Sequence, residues 1–165
     1  MESDTPPELW QTISRHWQSL GITNPPGATD AEIDAFEHKH GVRLPAGMRE
    51  FYSHVDGMSL GEWDESLIRF WPLSEWYSVP VLSLVCRGIP DYGGIDISLP
   101  DAASYFVFAD HSISIHVYAV RLTMDPIAPC TVVNISSGEH WGVQSASFTE
   151  FLQTYAKDSW DVFVP

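Results

Sequence analysis

The residues with the best chemical prospects are three carboxylates gathered around one indole: Glu62, Trp63, Asp64 and Glu65. A protonated carboxyl and an ionised one beside an aromatic ring are what glycan cleavage requires. The same four residues also fit a solvated acidic loop, with the indole as an anchor for a partner protein. Such loops are common, so partner binding is the preferred reading and a carboxylate-based hydrolase its rival.

Other constellations carry less. Seven histidines raise the idea of a metal site, but His38 and His40 stand two apart on a helix and point about 200° apart. A chelating pair needs a spacing of four. His16, His54, His111, His116 and His140 are scattered. No Gly-x-Ser-x-Gly turn presents a serine nucleophile. Cys86 and Cys130 lie far apart in no paired spacing and read as buried free thiols, inert in apolar surroundings. Gly93-Gly94 lacks the lysine and helix start of a phosphate cradle. The expectation is a chain with no catalytic group, no metal and no cofactor.

Charge says more. The 165 residues hold 22 Asp and Glu against 8 Lys and Arg, a formal charge of −14. From Ser53 to Leu67 the acids Asp56, Glu62, Asp64 and Glu65 occur without a Lys or Arg. From Gly88 to Val120 the same is true of Asp91, Asp96, Asp101 and Asp110. The acidic excess argues against nucleic acid as a partner, because phosphate binding is driven by cations. A basic protein suits this charge, although charge also serves solubility. Trp63, Trp71, Trp76 and Tyr92 interleave with the acids; most read as core, but these are also interface residue types. The expected contact set is Asp56, Glu62, Trp63, Asp64, Glu65, Asp91 and Asp96.

The elements that must position this set follow from length and punctuation. The length suits one domain, 1–165, with no internal repeat. No apolar run reaches the roughly 18 residues of a membrane span, and the start is acidic rather than a basic lead into a signal segment. A soluble cytoplasmic protein is expected. Thr5 with Glu8 caps a first helix, whose Leu9, Ile13, Trp17 and Leu20 form one stripe ending at Gly21. Thr29 with Glu32 caps a second, with Ile33, Phe36 and His40 on one face and Gly41 as its left-handed stop. Leu44-Pro45 opens a third, with Met48, Phe51, Tyr52 and Val55 on one side and Gly57 at its end.

Beyond Gly57 the period changes to that of strands. Leu67–Trp71, Tyr105–Ala109, Ile113–Leu122, Thr131–Ile135 and His140–Val143 read as strands, and Ser74–Tyr77 as a helical turn. Asp110-His111-Ser112 suits a hairpin turn. Val79–Cys86 fits a strand and a buried helix equally. Ser147 with Glu150 caps a last helix that buries Phe148, Phe151, Leu152 and Tyr155. Helices at both ends around hairpin-joined strands give an α+β fold.

Four blocks in this order resemble the SUKH superfamily, which includes fungal cell-wall-synthesis regulators and many bacterial immunity proteins. They are the first helix with Trp10 and Trp17; Ala28 to Gly57 with its marks at Glu37, Gly41, Leu44, Pro45 and Gly57; the strand pair Tyr105 to Leu122; and the closing Ser147-Phe148 with Phe151-Leu152. Residues 59–104 match weakly, and Val55-Asp56-Gly57 replaces the more frequent Asn-Gly end of the helix. The resemblance implies one α+β domain that binds other proteins in the cytoplasm. In bacterial members such a domain neutralises a cognate toxin, often a nuclease or deaminase; a regulatory scaffold of the fungal type is the alternative.

Overall fold

The computed structural model describes residues 9–158; the cap expected at Thr5 and Glu8 lies outside them. α1 (Leu9–Ser19) buries Ile13 and Trp17. α2 (Asp30–His40) starts on the expected capping box: the Thr29 hydroxyl accepts the Glu32 N–H at 3.2 Å, and the Glu32 carboxylate accepts the Thr29 N–H at 2.8 Å. Gly41 then takes a left-handed conformation, and Leu44-Pro45 leads into α3 (Ala46–His54). Between them Glu37 is buried. One of its oxygens accepts the Leu44 N–H at 2.7 Å and the other accepts from Arg49 Nη1 at 2.9 Å, so a single carboxylate closes the α2–α3 corner.

Six antiparallel strands form one sheet. β1 (Ile68–Phe70) and β2 (Tyr77–Ser78) both pair with β3 (Tyr105–His111), and the sheet continues through β4 (His116–Arg121), β5 (Val132–Ile135) and β6 (Trp141–Ser145). Every residue of β3 is buried, as a central strand covered on both faces requires. Two short helices, α4 (Val79–Val85) and α5 (Ile95–Ser98), fill the connection from β2 to β3. The last helix, α6 (Phe148–Lys157), is capped by Ser147 and packs Phe148, Phe151 and Tyr155 against Phe70 and Phe108. The architecture is α+β, with one continuous aromatic-rich core.

Four local readings are corrected or resolved. The Val79–Cys86 segment is helical, with Pro80 in its first turn, where a missing N–H costs nothing. Asp110 and His111 extend β3 instead of turning; the reversal falls at residues 112–115, and β4 starts at His116, not Ile113. Strand geometry suits Asp110 because its Oδ2 there accepts the Trp71 indole N–H at 2.8 Å. Both cysteines are free as expected, but half-buried rather than buried. The pairing of β2 and the existence of α5 had no counterpart in the sequence reading.

Two left-handed glycines, Gly41 at the end of α2 and Gly57 beyond the Val55 cap of α3, differ in what surrounds them. Gly41 has φ 64° and nothing within 4 Å of where a Cβ would stand; Gly57 has φ 70° and would place a Cβ 2.6 Å from both the Pro72 nitrogen and the Trp71 carbonyl carbon. Gly41→Ala should therefore cost only the left-handed penalty, about 1–2 kcal/mol. Gly57→Ala adds a backbone collision and should cost about 3 kcal/mol or more. Urea unfolding of the two variants measures the difference, and equal costs would show that the chain can move away from residue 57.

Candidate functional site

A cleft of about 810 Å³ opens between the 59–67 loop, the β3–β4 turn and the end of α4. Its walls are apolar and face solvent: Leu60, Trp63, Leu67, Val85 and Ile113 are all exposed, Leu60 by 86% and Ile113 by 81%. Its floor is polar, made of Arg69, Tyr77, Cys86 and Asp110 with the Trp71 ring, and Glu75 completes the lining.

Those walls are held out by backbone that no side chain prefers. Leu67 has φ 63°, and Ser112, Ile113 and Ser114 follow one another at 53°, 58° and 64°. Each non-glycine residue in this region costs roughly 1–2 kcal/mol, and a β-branched one such as isoleucine fits it worst. Three hydrogen bonds fix the arrangement: Ser112 N–H to the Leu67 carbonyl at 2.8 Å, Leu67 N–H to the Asp64 carbonyl at 3.0 Å, and the Tyr92 hydroxyl to the Ser114 carbonyl at 2.6 Å. Strain that presents large apolar side chains to water stabilises nothing in the free protein. Such strain collects at ligand clamps and other working surfaces.

The floor is electrostatically settled. Arg69 is buried and grips Glu75 with two N–H groups, at 2.7 and 3.3 Å, while donating to the Ser59 and Met58 carbonyls. A desolvated guanidinium persists only when its donors are matched in this way. Asp110 is 8% exposed. Desolvation raises its carboxyl above the ordinary value, against the opposing pull of Trp71, Ser114 and Arg69. Burial likewise pushes the Tyr77 phenol up; its hydroxyl lies 3.9 Å from Cys86 Sγ.

Of the seven residues expected to contact a partner, only Trp63 lines this cleft. Glu62 accepts the Thr23 N–H at 3.1 Å, and Glu65 pairs with His16 at 2.7 Å, so both tie the loop to the α1 region. Asp91 and Asp96 are exposed on the segment that packs against the β5–β6 turn, where the Gly138 N–H reaches the Asp91 carbonyl at 2.8 Å. Asp56 is half-buried and accepts the Leu73 N–H at 2.8 Å; it borders a separate hollow of about 340 Å³ beside Phe36, His40 and Trp76.

Asp64 corrects the sequence reading. It is 2% exposed rather than solvated, because its Oδ1 accepts the Ser66 and Ile68 N–H groups at 2.8 and 2.9 Å and its Oδ2 accepts the Tyr155 hydroxyl at 2.6 Å. Glu62, Asp64 and Glu65 thus have separate partners and none lines the cleft, which leaves the hydrolase reading without a converging pair. Of the other aromatics that interleave with the acids, Trp71, Trp76 and Tyr92 are buried in the core, the reading given to most of them. Leu60, Leu67, Val85 and Ile113 were missed. An isoleucine between two serines is the one faint signal of a displayed side chain.

Among the described residues no group of three or more His, Cys, Asp or Glu side chains could hold a metal ion, and no helix is long and apolar enough to cross a membrane.

Burial raises Asp56, Asp64 and Asp110 above the ordinary 3.8. The folded chain therefore takes up their protons at higher pH than the unfolded chain. Their contribution to stability is fully present below 3.8 and is lost as pH rises through the folded values. Asp64→Ala strands two amides and a phenol and should cost about 3 kcal/mol; Asp64→Asn keeps an acceptor and should cost less than half of that. Lowering the pH from about 7 to about 4, toward the unfolded value, should stabilise the Asn variant less than wild type in thermal melts. Identical pH profiles would mean that Asp64 does not titrate with folding.

The pattern of the SMI1 / KNR4 family (SUKH-1) matches residues 27–154, which takes in everything from the α2 cap to most of α6. No curated protein matches the chain. Glu37 at the α2–α3 corner, Gly57 against the Trp71 backbone and the Phe148–Phe151 face of α6 are structural reasons for the marks recognised in the sequence. With more than half of its length matched, the chain belongs to the SMI1 / KNR4 (SUKH-1) family.

Proposed function

We propose that this protein is a binding module with no chemistry of its own, which docks a partner protein in the cleft between Leu60 and Ile113. One observation carries the reading: four strained, non-glycine residues hold large apolar side chains out around a concave site. Contiguous apolar side chains left exposed and rimmed by polar groups mark an interaction surface. The role we assign is that of a cytoplasmic immunity protein covering a cognate toxin domain of the nuclease or deaminase class. Family membership and the charge of −14 support it, since a toxin that grips nucleic acid is cationic. A regulatory scaffold would use the same face on a different partner.

Leu60 and Ile113 have little to lose in folding when replaced, so binding can be tested without unfolding. In cells expressing a candidate toxin domain of the nuclease or deaminase class, wild type should restore growth and the Leu60→Asp, Ile113→Asp double variant should not. Affinity for the inactivated toxin domain should fall about 30-fold or more, as for a lost interface anchor, with the melting temperature unchanged. The Asp91→Lys, Asp96→Lys variant should still protect. Full protection by the cleft variant would move the contact to another face, and turnover of a metabolite by the purified protein would end the non-enzymatic reading.

A further inference from the structure

The cleft carries a charge that selects among partners. Its ionisable lining includes two carboxylates, Glu75 and Asp110, and one guanidinium, Arg69. Glu75 and Arg69 form a two-point pair, and the remaining named bonds of Arg69 go to backbone carbonyls. That pair is internally neutral. Asp110 is left as the unbalanced charge, because the Trp71 indole and Ser114 that bond it are neutral donors. The exposed Trp63 ring stands in the same lining and adds a surface that attracts cations.

Resting on the docking reading above, we propose that the cleft takes an apolar segment of a basic partner that bears one arginine or lysine. The cationic head is drawn to Asp110 and Trp63, and neighbouring apolar side chains pack on Leu60 and Ile113. Both the site and this occupant are amphipathic: a long basic side chain offers an aliphatic stem to apolar walls and a charged tip to a carboxylate. The chain's charge of −14 favours the approach of such a segment over an acidic one. With a volume of about 810 Å³ the cleft has room for more than one side chain, so a short stretch of polypeptide is the fitting guest.

Two capped pentapeptides separate charge from shape: phenylalanine, arginine and leucine between glycines, and the same sequence with uncharged citrulline in place of arginine. Binding is read by calorimetry and by protection of Cys86 from iodoacetamide in a Cys130→Ser background. The arginine peptide should bind about tenfold tighter than the citrulline peptide, the size of one charge-assisted bond. Asp110→Asn should erase that preference. Should this variant fold poorly, Glu75→Gln serves instead: it frees Arg69 from its partner and should also abolish or reverse the preference. Leu60→Ser should weaken both peptides alike. Equal binding of the two peptides to wild type would overturn the cation proposal and leave the docking cleft standing. Failure of both to bind or to protect Cys86 would overturn the cleft as well, and a preference that survives Asp110→Asn and Glu75→Gln would overturn the assignment of the charge.

Discussion

Asp64 accepts hydrogen bonds from three parts of the chain that are remote in sequence or in direction. The Ser66 and Ile68 amides come from its own loop and β1, the Tyr155 hydroxyl from α6, and that hydroxyl in turn accepts from the Trp17 indole of α1 at 2.8 Å. Burying a carboxylate is costly, and it is tolerated because each donor would itself be stranded without it. What this relay fixes is a direction. With Asp64 locked inward between α1 and α6, its neighbours Trp63 and Glu65 are forced outward, and the 59–67 loop is registered against the core. A cleft wall built on such a loop is preorganised, so less conformational freedom is lost when something binds there.

The opposite wall depends on the sheet. β3 is the longest strand, buried throughout and paired on both edges, so its last residues, Asp110 and His111, are positioned by β1 and β4 together. The left-handed turn that follows can persist because the flanking ladders, Tyr92 and the Leu67 carbonyl all hold it. The α2–α3 corner has a different task. Its buried Glu37, held by Leu44 and Arg49, is matched by Arg49 contacts to Asp34 at 2.8 Å and Asp30 at 3.4 Å, and none of these residues lines the cleft. The residues that mark the family are thus the residues that hold the scaffold, while the cleft is assembled largely from the stretch that matched the family weakly.

This division explains what was legible. Caps, glycine stops and helical stripes are local, so Thr29 with Glu32, Gly41 and the Phe148–Tyr155 face could be read directly and stand as read, whereas the third helix ends at His54, capped by Val55, before it reaches Gly57. Asp64 could not be distinguished from Glu62 or Glu65, because what turns it inward is a tyrosine 91 positions away. The left-handed run at Ser112–Ser114 was invisible for the opposite reason: none of the three is glycine or asparagine, the usual signs of such backbone. The choice between strand and helix at Val79–Cys86 was open by hydropathy alone, although Pro80 argues against a paired strand interior. Of the candidate site, the sequence located Trp63 and the loop that carries it; the apolar rim needed two distant loops brought together.

The acid-rich stretches divide in a way that changes how charge can act. Asp64 and Asp110 point inward, Asp56 is half-buried on Leu73, Asp101 is paired with Arg121 at 2.8 Å and Glu65 with His16 at 2.7 Å, so five of the eight acids counted along those stretches do not form a free outer patch. A buried or paired acid still counts toward the net charge that a distant cation feels, less whatever its partner cancels. Beyond the roughly 8 Å screening length at physiological salt, however, little detail of the pattern survives. Net charge can therefore hasten encounter with a basic protein, but it cannot by itself orient that protein on the surface. Orientation has to come from short-range features, and the apolar rim with one unbalanced carboxylate beneath it supplies shape and charge at the same place.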